Sequence, residues 1–160
     1  MNYEEFINNK KHLIGEFGFN PKWIPEIAFD FQKHGIEKAC LRGRNANFYD
    51  TGLGKTLIQL SIAYNIVLHT NKKVLLPTPL AVAFQFIQEA EKIGIDDIEY
   101  SKDGRHTKKI VVCNYERLHL FEASDFDGIV LDESSILKNF DGKIKAQVTS
   151  FAKKIKYRQL

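Results

Sequence analysis

The segment Asp50-Thr-Gly-Leu-Gly-Lys-Thr56 decides how the rest of this 160-residue sequence is interpreted. It follows a short apolar run over 46–49 and precedes a run over 56–68 whose apolar residues recur with helical spacing. Gly52 and Gly54 allow main-chain N–H groups to turn toward an anion, and the helix behind them adds unpaired N–H groups and a positive dipole end. A strand, a glycine-rich turn and a helix in this order predict a phosphate-binding loop.

The segments around this turn predict one α/β domain. Apolar periodicity predicts helices over 30–42, 56–68, 81–93 and 116–121, and strands over 46–49, 73–77, 98–100, 110–113 and 128–131. Short apolar strands separated by helices are typical of a parallel sheet covered on both faces, which binds ligands at the carboxyl ends of its strands. We therefore expect an N-terminal helical extension over 1–29 and a three-layer α/β domain over 30–160.

The composition is that of a single soluble globular domain, with 44% hydrophobic and 27% charged residues. Cys40 and Cys113 lie far apart without metal-binding spacing, so we expect neither a zinc site nor a disulfide framework and predict that both are buried. No segment has the length and hydrophobicity of a membrane span, and residues 1–17 lack the apolar core of a signal peptide. We expect a cytoplasmic protein with no membrane partner.

Basic residues are concentrated at the C-terminal end, where residues 141–160 hold six lysines and arginines against one acid. A nucleic-acid contact is one interpretation of this excess. The other is the solvated face of an amphipathic helix, and the helical spacing of four apolar residues favours it. These residues are Ile144, Val148, Phe151 and Ile155.

The segment Gly128-Ile-Val-Leu-Asp-Glu133 supplies what a phosphate-binding loop lacks. Asp132, at the end of an apolar strand, can hold Mg²⁺, and Glu133 can orient and deprotonate an attacking water molecule. In the loop itself, Lys55 can reach the β and γ phosphates and Thr56 can bind Mg²⁺. The alternative is a tight strand-to-helix turn with an exposed lysine, since Tyr49 stands where the strict motif has its first glycine.

With these segments in place, the sequence resembles the first motor lobe of superfamily-two helicases. Within that superfamily it is similar to phage-type DEAD/DEAH-box proteins related to the Swi/Snf translocases. The matching segments are Phe31-Gln32, DTGLGKT, VLLPTPLAVAFQFIQEAEKIG, VVCNYERL and VLDESSILKN, in this order along the chain. The resemblance implies a P-loop NTPase of the RecA-like class, with a mostly parallel central sheet.

The resemblance also implies ATP and Mg²⁺ as cofactors and assigns residues to them. Gln32 would read the adenine edge, and Lys55, Asp132 and Glu133 would be catalytic, with Thr56 and Asp132 on the metal. The residues implied to bind the nucleotide, besides Gln32, are Thr51, Gly52, Leu53, Gly54, Lys55 and Thr56.

Two further segments are implied to touch a nucleic-acid backbone. They are Thr78-Pro79 and Asn114-Tyr115, which follow the strands predicted over 73–77 and 110–113. Thr78 and Asn114 have an alternative role as turn residues that cap the following helices. DNA is favoured over RNA as the partner.

The last residues, Tyr157-Arg-Gln-Leu160, depart from the pattern of this superfamily. There the family's chain continues through a strand into a coupling motif, and that strand lies between the phosphate-loop strand and the strand of Asp132. We expect the fold to be truncated within this strand, with the second helicase lobe and its arginine fingers missing from this chain.

Three functions remain open at this point. The first is the ATP-binding and ATP-hydrolysing motor lobe of a DNA helicase or translocase, with slow turnover by the single lobe. The second is another phosphate-loop enzyme, such as a small-molecule kinase, in which Gln32 has no role. The third is a stand-alone nucleotide- or DNA-binding module without turnover, whose sheet has an open position that another chain fills.

Overall fold

The computed structural model describes residues 18–45, 54–132 and 142–159. The helices are α1 (Asp30–Arg42), α2 (Lys55–Thr70), α3 (Leu80–Lys92) and α4 (Gly142–Lys153), with 3₁₀ helices over Tyr115–Leu120 and Ala123–Asp125. The strands are β1 (Arg44–Asn45), β2 (Lys73–Thr78), β3 (Ile98–Tyr100), β4 (Ile110–Asn114), β5 (Phe126–Val130) and β6 (Tyr157–Gln159). The predicted helix over 30–42 is confirmed at both ends, whereas the one over 116–121 is a 3₁₀ helix that begins at Tyr115.

The six described strands form one sheet in the order β1-β6-β5-β2-β4-β3, and every pairing between them is parallel. Hydrophobic clusters lie on both faces of this sheet. One cluster joins α1, α2 and α3 to the sheet, and the other joins α4 and the 3₁₀ helix at Tyr115 to its opposite face. The prediction of a mostly parallel sheet between two helical layers is confirmed.

Strand β6 occupies the position that the resemblance implied for the chain's last strand. It pairs with β1 through Arg158 and Gln159 and with β5 through Tyr157 to Gln159. Over the described residues this position in the sheet is therefore filled by the chain itself. The expectation of an open position for another chain is wrong here, because three residues are enough to bridge the two neighbouring strands.

The C-terminal helix α4 packs as an amphipathic helix. Val148 is buried, and Ile144 and Phe151 pack against the cluster on that face of the sheet, as does Ile155 beyond the end of the helix. The spacing of these residues is thus explained by packing, and a nucleic-acid contact of the basic face stays a prediction. No helix in the described ranges is long and apolar enough to cross a bilayer.

Both cysteines lie in the core, as predicted. Cys40 packs on the α1 side of the sheet and Cys113 on the α4 side, and both thiols are free. Burial disfavours the thiolate and raises the pKa of Cys40 to about 12. These cysteines act as small apolar core residues. Of the helical extension predicted over 1–29, residues 1–17 lie outside the described residues, as does the strand predicted over 46–49, and residues 18–29 contain no helix.

Gly128 tests how tightly α2 packs on the sheet. A Cβ atom at this position would lie 3.0 Å from Ile66 Cγ2 and 3.1 Å from Val74 Cγ2. We expect Gly128→Ala to lower the free energy of unfolding by about 1–3 kcal/mol, as an added methyl group does in a filled core. Urea denaturation measures this change.

The matched control is Gly142→Ala, because a Cβ atom there meets nothing within 4 Å. Gly142 begins α4, so alanine leaves stability unchanged or raises it by up to about 1 kcal/mol. Equal losses in the two variants would contradict tight packing at β5.

Candidate functional site

Polar residues collect at the edge of the sheet where its strands end. Thr78 is the last residue of β2, and Asn114 is the last residue of β4. Asp132 lies two residues beyond the end of β5, after Leu131. Because the strands are parallel, their carboxyl ends meet at this edge. Helix α2 begins at the same edge, since Lys55 contacts Asp132.

Lys55 and Asp132, which sequence analysis selected separately, form an ion pair. Lys55 Nζ lies 3.9 Å from Asp132 Oδ1, with side chains that are 31% and 8% exposed. A carboxylate this deeply buried is costly unless it is paired. The structure therefore joins the predicted phosphate-binding lysine and the predicted metal-binding carboxylate in one site.

The N-terminus of α2 has the features of an anion site. Its N-cap is Gly54, with φ = 69°, and the described residues provide no capping side chain and no acidic residue in its first turn. The first N–H groups of the helix are thus not capped by a side chain, and the dipole end is positive. Thr56, predicted to bind Mg²⁺, is half-buried in this first turn.

Gln32 lies beside Gly54. Its side chain is buried, and a Cβ atom at Gly54 would collide with Gln32 Nε2. Gln32 Oε1 accepts a hydrogen bond from the Phe29 N–H at 2.9 Å, which turns the amide nitrogen toward the loop. The predicted adenine contact stays a prediction, but α1 does carry Gln32 to the end of the phosphate-binding segment.

The residues predicted to touch nucleic acid are mostly directed inward. Thr78 and Tyr115 are fully buried, and Asn114 is 8% exposed, so only Pro79 keeps a partly exposed surface. The Tyr115 hydroxyl donates to the carbonyl oxygen of Asp132, and Thr78 Oγ1 lies 3.4 Å from Asp132 Oδ2. Burial gives Thr78 and Tyr115 no surface for a backbone contact in this conformation.

Of Thr78 and Asn114, which were alternatively expected to cap the following helices, only Asn114 does so. Asn114 Oδ1 accepts a hydrogen bond of 3.3 Å from the Glu116 N–H at the start of the 3₁₀ helix. Thr78 is not a cap, because the N-cap of α3 is Pro79 and the Thr78 hydroxyl donates to the Pro79 carbonyl at 3.1 Å.

Sequence analysis missed Gln59, which lies one turn after Lys55 on α2. It is buried, and Gln59 Nε2 lies 3.5 Å from the Leu131 carbonyl oxygen. A glutamine among the apolar residues of a predicted helix is the signal that points to it. Thr51, Gly52, Leu53 and Glu133 lie outside the described residues, and their roles stay predictions.

Solved structures resemble this chain, although no protein-family model and no curated protein matches its sequence. The UvsW helicase from bacteriophage T4 matches with a TM-score of 0.69 and 18% identity, over 99% of this chain and 59% of that one. The Sulfolobus solfataricus SWI2/SNF2 ATPase core domain matches with a TM-score of 0.66 and 23% identity, over 88% of this chain and 31% of that one. The same core in complex with dsDNA matches with a TM-score of 0.61 and 20% identity, over 91% of this chain and 33% of that one.

These matches show the fold alone: the chain has the RecA-like α/β fold that the resemblance implied. The chain spans less than two thirds of the length of each of these three structures.

The contact between Gln32 and Gly54 is testable through two glycines with positive φ. Gly54→Ala and Gly94→Ala both impose left-handed backbone strain, but a Cβ atom at Gly94 meets nothing within 4 Å. We expect Gly94→Ala to cost about 1–2 kcal/mol of unfolding free energy and Gly54→Ala clearly more. Thermal or urea unfolding measures both.

The second part of this test repeats the Gly54 substitution in a Gln32→Ala background. That background lacks the Gln32 Nε2 atom with which a Cβ atom at residue 54 collides. In that background, Gly54→Ala is expected to cost no more than Gly94→Ala. A cost that does not depend on residue 32 would mean that the two side chains do not share this space.

Proposed function

We propose that this chain is the ATP-binding and ATP-hydrolysing motor lobe of a DNA helicase or translocase. The observation that carries the proposal is the Lys55–Asp132 ion pair, at the carboxyl edge of a parallel sheet and at the N-terminus of α2. The RecA-like fold supports it, since the matching structures include a helicase and an ATPase core.

The arrangement fits a nucleoside triphosphate. The N–H groups at the start of α2 and the Lys55 ammonium offer a positive site for phosphate oxygens. Lys55 keeps 31% of its side chain exposed, so its ammonium can exchange the Asp132 carboxylate for an incoming phosphate. Gln32, whose amide nitrogen faces the loop, would distinguish the base through its carboxamide.

The donor set also fits Mg²⁺. The ion prefers hard oxygen ligands, and the protein usually supplies one or two of them beside the phosphates. Thr56 and Asp132 would hold the ion. When bound, Mg²⁺ would neutralise the charge on the phosphate oxygens. Glu133, one residue beyond Asp132, would accept a proton from the attacking water molecule.

Nucleic acid would contact the same edge of the sheet from outside. Pro79 is partly exposed, and Leu80 beside it is 55% exposed at the start of α3. One matching structure is a complex with dsDNA, which supports DNA as the partner. Movement along DNA would require a second lobe that closes on the nucleotide.

For the 160-residue chain alone, we expect nucleotide binding with slow turnover. In phosphoryl transfer an added arginine accelerates the reaction about 10³–10⁵-fold, and helicases supply such residues from the second lobe. The alternative of a non-hydrolysing interaction module was favoured by an expected open position in the sheet. That support is gone, because β6 fills the position between β1 and β5.

Lys55→Ala tests the proposed function. Loss of a charge-assisted contact with phosphate is expected to weaken Mg-ATP binding by about 10–100-fold. Titration with methylanthraniloyl-labelled ATP measures the affinity, and Lys38→Ala, which removes an exposed lysine on α1, is the control.

The same titration with labelled GTP distinguishes a motor lobe from another phosphate-loop enzyme. Preference for ATP that is lost in Gln32→Ala supports the motor lobe, and equal affinity for both bases favours a different phosphate-loop enzyme. Equal binding by wild type and Lys55→Ala would contradict a phosphate site at α2.

A further inference from the structure

Four elements hold the main chain of Leu131 and Asp132, just beyond β5. The Leu131 N–H donates to the Gln159 carbonyl on β6 at 2.8 Å, and the Asp132 N–H donates to the Pro77 carbonyl on β2 at 3.2 Å. These two bonds continue the pairing of β5 with β6 and with β2 beyond Val130.

The two carbonyl groups are held by side chains instead. The Asp132 carbonyl accepts from the Tyr115 hydroxyl, and the Leu131 carbonyl accepts from Gln59 Nε2 at 3.5 Å. Tyr115 comes from the segment after β4, whereas Gln59 comes from α2. All four main-chain groups of these residues therefore have partners, each on a different element.

Tyr115 is well fixed for this contact. It is 0% exposed, and Asn114 caps the 3₁₀ helix that Tyr115 begins. A buried tyrosine hydroxyl needs a hydrogen-bond partner, and here that partner is the main chain of the residue that pairs with Lys55. The Tyr115 hydroxyl thus supports Asp132 from the direction of β4, whereas β6 lies on the other side of β5.

Gln59 brings a polar side chain into the core. Its Oε1 atom is buried, and no residue within 18–45, 54–132 or 142–159 forms a hydrogen bond with it. A leucine of similar size would fill the same space without an unpaired oxygen. A buried polar residue that holds the peptide before Asp132, at a position where an apolar residue would also pack, is typical of a residue that serves a site.

The carboxylate of Asp132 depends on this support. Its Oδ1 atom faces Lys55 at 3.9 Å and its Oδ2 atom faces Thr78 at 3.4 Å, so a rotation of the main chain would disturb both contacts. Groups that orient a metal ligand typically change metal affinity about 10–100-fold when they are removed.

We propose that Tyr115 and Gln59 are positioning residues that hold the carboxylate of Asp132 in place for Mg²⁺. The proposal rests on the proposed function, because it takes Asp132 as a ligand of the nucleotide-bound metal. Neither residue is expected to contact the nucleotide or the metal itself.

The test measures binding of methylanthraniloyl-labelled ATP in EDTA and across a Mg²⁺ titration, together with the melting temperature. Tyr115→Phe removes one hydroxyl, and Gln59→Leu removes the amide and its unpaired oxygen. Both variants are expected to bind within about twofold of wild type in EDTA and to need about 10-fold more Mg²⁺ for the same gain in affinity.

Two features separate positioning from damage to the fold. Gln59→Leu removes a buried amide but also leaves the Leu131 carbonyl without its side-chain donor, so we expect a melting temperature close to that of wild type. A weaker Mg²⁺ response measured well below that temperature then does not come from unfolding. Tyr64→Phe is the matched control, since Tyr64 lies on α2 with its ring packed against Trp23. It is expected to keep the wild-type Mg²⁺ response.

A wild-type Mg²⁺ response in Tyr115→Phe and Gln59→Leu would overturn the positioning role and leave the proposed function standing. An equal loss in Tyr64→Phe would also overturn it, because the effect would not depend on contact with residues 131 and 132. If wild type shows no Lys55-dependent nucleotide binding, the proposed function and this inference both fail.

Discussion

A carboxylate buried at the end of a strand needs a cation, and this constraint organises the functional edge of the molecule. Asp132 is 8% exposed, and the Lys55 ammonium is 3.9 Å from its Oδ1 atom. Because Lys55 is the first residue of α2, the pair holds the N-terminus of that helix over the ends of the strands. The same helix N-terminus is left without a capping side chain from the described residues, which leaves its positive end available to an anion.

The order of the strands links the two sides of this arrangement. Strand β6 lies between β1 and β5, and Gln159 at its end donates to the carbonyl groups of Ala39 and Gly43 at 3.2 and 3.4 Å. The Gln159 carbonyl in turn accepts from the Leu131 N–H. One residue of β6 thus connects the end of α1, the helix that carries Gln32, to the strand that leads to Asp132.

Much of the fold was predictable because each element has a local cause. Helix α1 has Asp30 in its first turn, and the apolar strands β2, β4 and β5 alternate with helices at spacings that require a parallel sheet. The two motifs placed Lys55 and Asp132 at one phosphate and metal site, but their ion pair was not predicted. The inward direction of Tyr115 did not follow, because residue type and spacing cannot show on which side of a strand end a side chain turns.

The contact of Gln59 was also not predictable from residue type and spacing, in this case within a helix. Its position one turn after Lys55 can be read from the sequence, but its contact with the Leu131 carbonyl depends on how α2 packs against the end of β5. Strand β6 is a third case, since its residues indicate a strand but only the three-dimensional pairing shows that it completes the sheet.

The most direct test of this account is a crystal structure of the chain with Mg²⁺ and a non-hydrolysable ATP analogue. The account predicts the triphosphate at the N-terminus of α2, with Lys55 Nζ moved from Asp132 to a phosphate oxygen and Mg²⁺ next to Thr56 and Asp132. A nucleotide bound elsewhere, or an intact Lys55–Asp132 pair beside a bound triphosphate, would contradict it.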